Sequence, residues 1–133
     1  MYLVDTNVWL ERLLDQARSD EVGHFLEHTL SEHLSITDFA FHSIGVILSK
    51  LNRMDVLLRF VQDAFIDGAV TLIHLEPGDT ERLAHVTEQF NLDFDDAYQY
   101  VAAEKYDLAL VSFDSDFDHT ERGRKTPAEV LRG

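Results

Sequence analysis

Short aliphatic runs alternate along this chain with longer stretches of helical period, and that alternation sets the fold class before any single residue is considered. The runs are Tyr2 to Val4, Leu34 to Thr37, Val70 to Leu75 and Leu108 to Phe113. Between the first two, the turn-like Asp5-Thr6-Asn7 leads into a helix starting at Val8, Trp9 and Leu10. Ser19-Asp20-Glu21 opens a second helix carrying Val22, Phe25, Leu26 and Leu30 on one face. Asp38 to Arg53 reads as a mostly buried helix and Asp55 to Phe65 as another. Glu76-Pro77-Gly78 closes the third run, and Asp79 or Thr80 caps a helix through Phe90. Asp95-Asp96 begins the next, with Ala97, Tyr100 and Val101 facing inward. Asp114 to Asp118 is too polar and too dense in Asp for regular structure. Thr126-Pro127-Ala128-Glu129 is a capping box with proline at the first helical position, predicting a last turn to Leu131. Strands alternating with helices predict an α/β fold of three layers, a short parallel sheet of about four strands with helices on both faces.

The 133 residues show no repeat, low-complexity tract or linker, so a single domain over 1–133 is expected. The absence of cysteine excludes disulfides, zinc–thiolate sites and thiol nucleophiles. No apolar run approaches the roughly 18 residues of a membrane span, and Met1 to Asp5 does not open a signal peptide, so a cytoplasmic protein is expected. The formal net charge of −14 sits poorly with tight nucleic-acid binding, which normally draws on a basic face. An acidic surface that aids solubility and a carboxylate cluster relieved by divalent ions both account for such a total. The positions of the acids must choose between them.

In parallel sheets ligands bind beyond the carboxyl ends of the strands. Asp5 ends the first strand, Asp38 follows the second and Asp114 follows the last, while Asp95 and Asp96 stand where a helix dipole favours negative charge. Taken singly, each is more often a cap than a ligand. Their coincidence is what matters: strand ends of one sheet share an edge, and crowded carboxylates are costly without a cation between them. Oxygen ligands without sulfur suit Mg²⁺ or Mn²⁺.

Val4-Asp5-Thr6-Asn7-Val8 resembles the opening motif of PIN domains, and Asp96-Ala97-Tyr98 their central Asp-Ala pair. Leu110-Val111-Ser112-Phe113-Asp114-Ser115-Asp116-Phe117 resembles their closing strand and acidic turn, and Thr126-Pro127-Ala128-Glu129 their tail. The order and spacing match over essentially the whole chain. The resemblance implies a Mg²⁺- or Mn²⁺-dependent phosphodiesterase acting on RNA, as in VapC-like toxins held by an antitoxin protein. It implies Asp5, Asp96 and Asp114 as catalytic and metal-binding carboxylates, Asp116 as a further ligand, directly or through water, and Thr6 and Ser112 as hydroxyls orienting Asp5 or a water. Metal activation of water then replaces a protein nucleophile. Homodimers are common among such proteins, although no residue pattern here specifies one.

PIN domains usually carry a glutamate in the helix after the second strand, and Thr37-Asp38-Phe39-Ala40-Phe41-His42-Ser43 contains none. Asp38 and His42, four apart, can share a helical face and stand in for it, or simply cap and pack. The missing acid and the net charge keep a second reading open, a catalytically weak or inactive PIN-fold module that binds a partner protein. Arg122-Gly123-Arg124-Lys125, read as flexible and near the acidic turn, is the best candidate RNA contact, with Lys50 and Arg53 as solubilising or assisting charges. Trp9, Phe25, Phe39, Phe41, Phe60, Phe65 and Phe90 fall at core spacing. The remaining histidines lack metal-ligand spacing; His24 and His28 are four apart, with nothing to complete a site. A haloacid-dehalogenase phosphatase would need Asp where Asn7 stands, and a receiver domain's acidic pair and lysine are not evident.

Overall fold

The computed structural model describes residues 1–133, built on four parallel strands. These are β1 (Tyr2–Val4), β2 (Leu34–Thr37), β3 (Thr71–Ile73) and β4 (Ala109–Val111), in the order β3-β2-β1-β4. The helices are α1 (Thr6–Leu13), α2 (Ser19–Glu27), α3 (Asp38–Lys50), α4 (Met54–Val61), α5 (Thr80–Phe90), α6 (Phe94–Lys105) and α7 (Pro127–Arg132). Parallel neighbours require crossovers, and the helices supply them.

Adjacent strand residues point to opposite faces, and both faces are covered along β1, β2 and β4, while the edge strand β3 leaves Thr71 and Leu72 exposed. Val4, Ile36 and Val111 pack with Val8, Trp9, Phe25, Ile44 and Phe60 from α1 to α4. Leu3, Ile73 and Leu110 pack with Leu83, Val86, Tyr100 and Val101 of α5 and α6. That is why the strands read as continuous apolar runs. The expected three layers are therefore present. No helix is long and apolar enough to cross a membrane.

Several boundaries differ from expectation. α3 stops at Lys50 rather than Arg53 because Asn52 turns left-handed at φ 54°. α2 ends at Glu27, so Leu30 leaves the apolar face and is 62% exposed. The helix expected over Asp55 to Phe65 becomes α4 followed by a wider π turn at Gln62–Ile66, which carries Ala64 into the core. β3 and β4 are shorter than their apolar runs. Beyond β4, the Ser112 N–H donates to the Lys125 carbonyl and the Lys125 N–H to the Leu110 carbonyl, so the returning segment covers that sheet edge. α6 starts at Phe94, capped by Asp93, whose side chain accepts the Asp96 N–H. The acidic turn is also regular: Ser115–His119 is a 3₁₀ helix capped by Asp114. Asp density opposes α-helix interiors but suits caps, and short side chains bonding the backbone favour such tight turns.

Candidate metal centre

β1 and β4 are neighbours in register, Val4 opposite Val111, which brings the residues after each strand together at one edge. The Asp5 N–H donates to the Val111 carbonyl at 2.9 Å. Its carboxylate is buried and fixed on both oxygens: Oδ1 accepts from the Thr6 N–H at 2.8 Å and Gln99 Nε2 at 3.0 Å, and Oδ2 from Ser112 Oγ at 2.8 Å. Ser112 Oγ itself accepts from the Asp114 N–H at 3.0 Å and from Asn7 Nδ2 at 3.3 Å. One serine thus joins the ends of both strands.

The N-terminus of α6 lies over this edge. One carboxylate oxygen each from Asp96, Asp114 and Asp116 lies within 4.8 Å of the others. Asp5 stands outside that trio, although Asp5, Thr6, Asp96 and Asp114 line a common cleft of about 320 Å³. A larger cavity of about 650 Å³ adjoins α1, α2 and α4. Its two acids, Asp55 and Asp63, are paired with Arg53 and Arg59, so the unpaired carboxylates belong to the smaller cleft.

Burial raises the Asp5 pKa; the bonds from Gln99, Ser112 and Thr6 oppose this, and the Asp114 charge adds to it. Asp96 is pushed up to about 7, first by burial, then by the charges of Asp114, Asp93 and Asp5 and the close approach of Asp114. The cluster is therefore costly when fully ionised, a cost a divalent cation removes. Thr6 Oγ1, buried and lining the same cleft, has no hydrogen-bond partner and offers a further oxygen. An all-oxygen donor set with an orphaned hydroxyl fits a hard divalent ion such as Mg²⁺ or Mn²⁺.

Other expected site residues lie elsewhere. Asp38 is exposed, accepting the Phe39 N–H and the Tyr98 hydroxyl, and Thr37 rather than Asp38 caps α3. His42 is also exposed. Neither lines the cleft, because α3 turns Phe39, Ser43 and Ile47 toward it instead. A shared face at i,i+4 is a real constraint, but the face points away from the carboxylates.

Arg122 to Lys125 is not a flexible strap. Arg124 bonds both Asp118 oxygens at 3.0 and 3.2 Å and the Ser112 carbonyl at 3.2 Å, and its side chain is only 16% exposed. It clamps the 3₁₀ turn to β4. Arg122 donates to the Leu108 carbonyl and to Asp107, at the opposite end of β4 from the acids. Lys125 is exposed, but its backbone is tied to the sheet edge.

One site participant, Gln99, and one contact outside the cleft, that of Arg18, were not legible in the sequence. Gln99 is 1% exposed, accepts from Thr37 Oγ1 at 2.7 Å and donates to Asp5, linking β2, α6 and β1. Its signal was an amide within the inward stripe of α6, since a buried polar side chain must find partners. Arg18 places its guanidinium 4.8 Å from the Phe113 ring centre, beside the acidic turn. No sequence pattern announces that contact.

A family model of the PIN domain matches residues 2–123. Among solved structures, a toxin–antitoxin complex from Klebsiella pneumoniae is 21% identical, with a TM-score of 0.76 and coverage of 96% of this chain and 98% of that one. The sarcin–ricin-loop-cleaving toxin VapC20 of Mycobacterium tuberculosis is 15% identical, with a TM-score of 0.74 and coverage of 89% and 93%. FitAcB from Neisseria gonorrhoeae is 18% identical, with a TM-score of 0.74 and coverage of 96% and 99%. No curated protein sequence matches. At these identities the structural likeness speaks for the fold alone, whereas the sequence model spans nearly the whole chain, and on that ground this protein belongs to the PIN domain family.

Proposed function

We propose that this protein is a divalent-metal-dependent ribonuclease, one PIN domain over residues 1–133, acting in the cytoplasm as the toxin of a toxin–antitoxin pair. The observation that carries this reading is the meeting of Asp96, Asp114 and Asp116 within 4.8 Å beside the buried Asp5. Asp96, Asp114 and Asp116 would hold Mg²⁺ or Mn²⁺, with Asp5 and Thr6 completing the oxygen wall. When bound, the ion supplies Lewis acidity, which lowers the pKa of a water and offsets phosphate charge. Ser112 and Gln99 hold Asp5 in one orientation, work that such supporting residues do for ligating carboxylates in general. Asp96, with its raised pKa, holds a proton at its carboxyl below about pH 7, and there a cation must displace it. Phe39 and Ile47 form the apolar side of the cleft and limit water there.

The antitoxin partner is supported by the toxin–antitoxin complex among the structural neighbours. The test of the activity is cleavage of single-stranded RNA in Mn²⁺ or Mg²⁺ by wild type and Asp96→Asn. Activity lost in the variant and in EDTA supports the reading; a folded but inactive wild type across a range of RNAs refutes it. One observation favours a second reading, a non-catalytic PIN module for partner binding: α3 brings no carboxylate to the cleft. The same assay separates the two.

A further inference from the structure

From the α3 wall of the cleft, three aromatic rings lead out to the surface. Phe39 lines the cleft, and its ring centre is 5.8 Å from that of Tyr98. Tyr98 is in turn 6.4 Å from Phe94, tilted by 45°. Phe94 and Tyr98 are one turn apart on α6 and share a face. Tyr98 is held from both sides, its hydroxyl donating to Asp38 Oδ1 at 2.7 Å and accepting the Leu75 N–H at 3.0 Å. Phe94, two residues before Asp96, is 59% exposed. A lone exposed phenylalanine is ordinary. This one is continuous, through a clamped tyrosine, with a ring inside the carboxylate cleft.

Its surroundings narrow the occupant. No lysine or arginine lines the cleft, and Asp93 and Asp95 flank the ring. These carboxylates repel phosphates, so a strand that enters here must turn its backbone to solvent and offer the ring a base face, which carries no charge. We propose that Phe94, backed by Tyr98, is a stacking platform for an unpaired base of single-stranded RNA, a specificity-determining position beside the cleft. The inference rests on the ribonuclease reading for its substrate. A base inside a duplex has no free face to offer, so the platform selects unpaired segments.

The test reads binding rather than turnover. Phe94→Trp is titrated with a single-stranded oligoribonucleotide in EDTA, and again in Mg²⁺ with cleavage followed in parallel. The introduced indole is expected to be quenched by the single strand and not by a matched duplex, while the wild type, whose one tryptophan is the buried Trp9, stays unchanged. Phe94→Ala should bind the single strand about 5- to 150-fold more weakly, the equivalent of about 1–3 kcal/mol per stacked base, and Phe94→Tyr should restore it. Equal binding by wild type and Phe94→Ala, quenching by duplex as well as single strand, or no quenching in either buffer overturns the proposal. So does a Phe94→Ala protein that keeps its RNA affinity but loses a partner protein, which assigns the ring to protein docking. Quenching without cleavage removes the ribonuclease reading and leaves the platform; cleavage with unchanged KM in Phe94→Ala does the reverse.

Discussion

Replacing Asp96 with asparagine should make the metal-free protein more stable while disabling it. In the unfolded chain Asp96 titrates near 3.8, and in the fold near 7, so the folded state binds more protons between those values and stability falls as pH rises through that window. Taken at face value, about three pKa units correspond to about 4 kcal/mol. Asp96 is only partly buried, and solvent screening reduces this to about 2 kcal/mol. Against it stands the favourable placement of a carboxylate in the first turn of α6, about 0.3–1 kcal/mol. Repulsion from Asp114, Asp93 and Asp5 wins, leaving a net gain of about 1 kcal/mol for Asp96→Asn at pH 8. The cap survives, because it uses the backbone N–H of residue 96. For a chain of this length that gain raises Tm by about 4 °C. Thermal unfolding in EDTA at pH 8 and pH 5 checks the magnitude and sign together. The difference should shrink at pH 5, where Asp96 is protonated in the fold but still ionises in the unfolded chain, and it should vanish only below about pH 3.8. Mn²⁺ should raise the Tm of wild type more than that of the variant. An Asp96→Asn protein melting at or below wild type at pH 8, or a gap of equal size at pH 5, would refute the reasoning.

Because Asp96 must give up its proton to take a cation, apparent Mn²⁺ affinity should fall as pH drops through about 7, which calorimetric titration at pH 8, 7 and 6 would show as a rising Kd. Gln99→Ala strands Thr37 and frees one side of Asp5; denaturant titration should show a loss of about 2–4 kcal/mol, and Mn²⁺ affinity should drop about 10- to 100-fold. Gly68→Ala, whose new Cβ would meet the Asp63 and Ala64 carbonyl oxygens at 2.7 Å, should destabilise by about 1–3 kcal/mol with Mn²⁺ affinity unchanged.

The sequence by itself determined the layered α/β fold, because a run such as Tyr2 to Val4, apolar at successive positions, is stable only where both of its faces are covered. It also placed Asp5 and Asp114 beyond strand ends, since charged residues cannot continue such runs. What it left open is which faces and ends meet. Asp5 joins Asp114 only because β4 pairs beside β1, an adjacency between segments more than a hundred residues apart. Local periodicity carries no information about that pairing. The same limit explains the misplacements. The spacing of Asp38 and His42 defined a common face but not its direction, and packing Ala40, Ile44 and Leu48 into the core turned Phe39, Ser43 and Ile47 toward the acids instead. Closeness in sequence suggested Arg122 and Arg124 as phosphate contacts; β4 separates Arg122 from the cleft, and Asp118 occupies Arg124. Gln99 acquired its role only when α6 laid it between Thr37 and Asp5. Burial and hydrogen bonding are satisfied over the whole fold at once, so the rotation of a helix, and with it the identity of the side chains in a site, belongs to the tertiary structure.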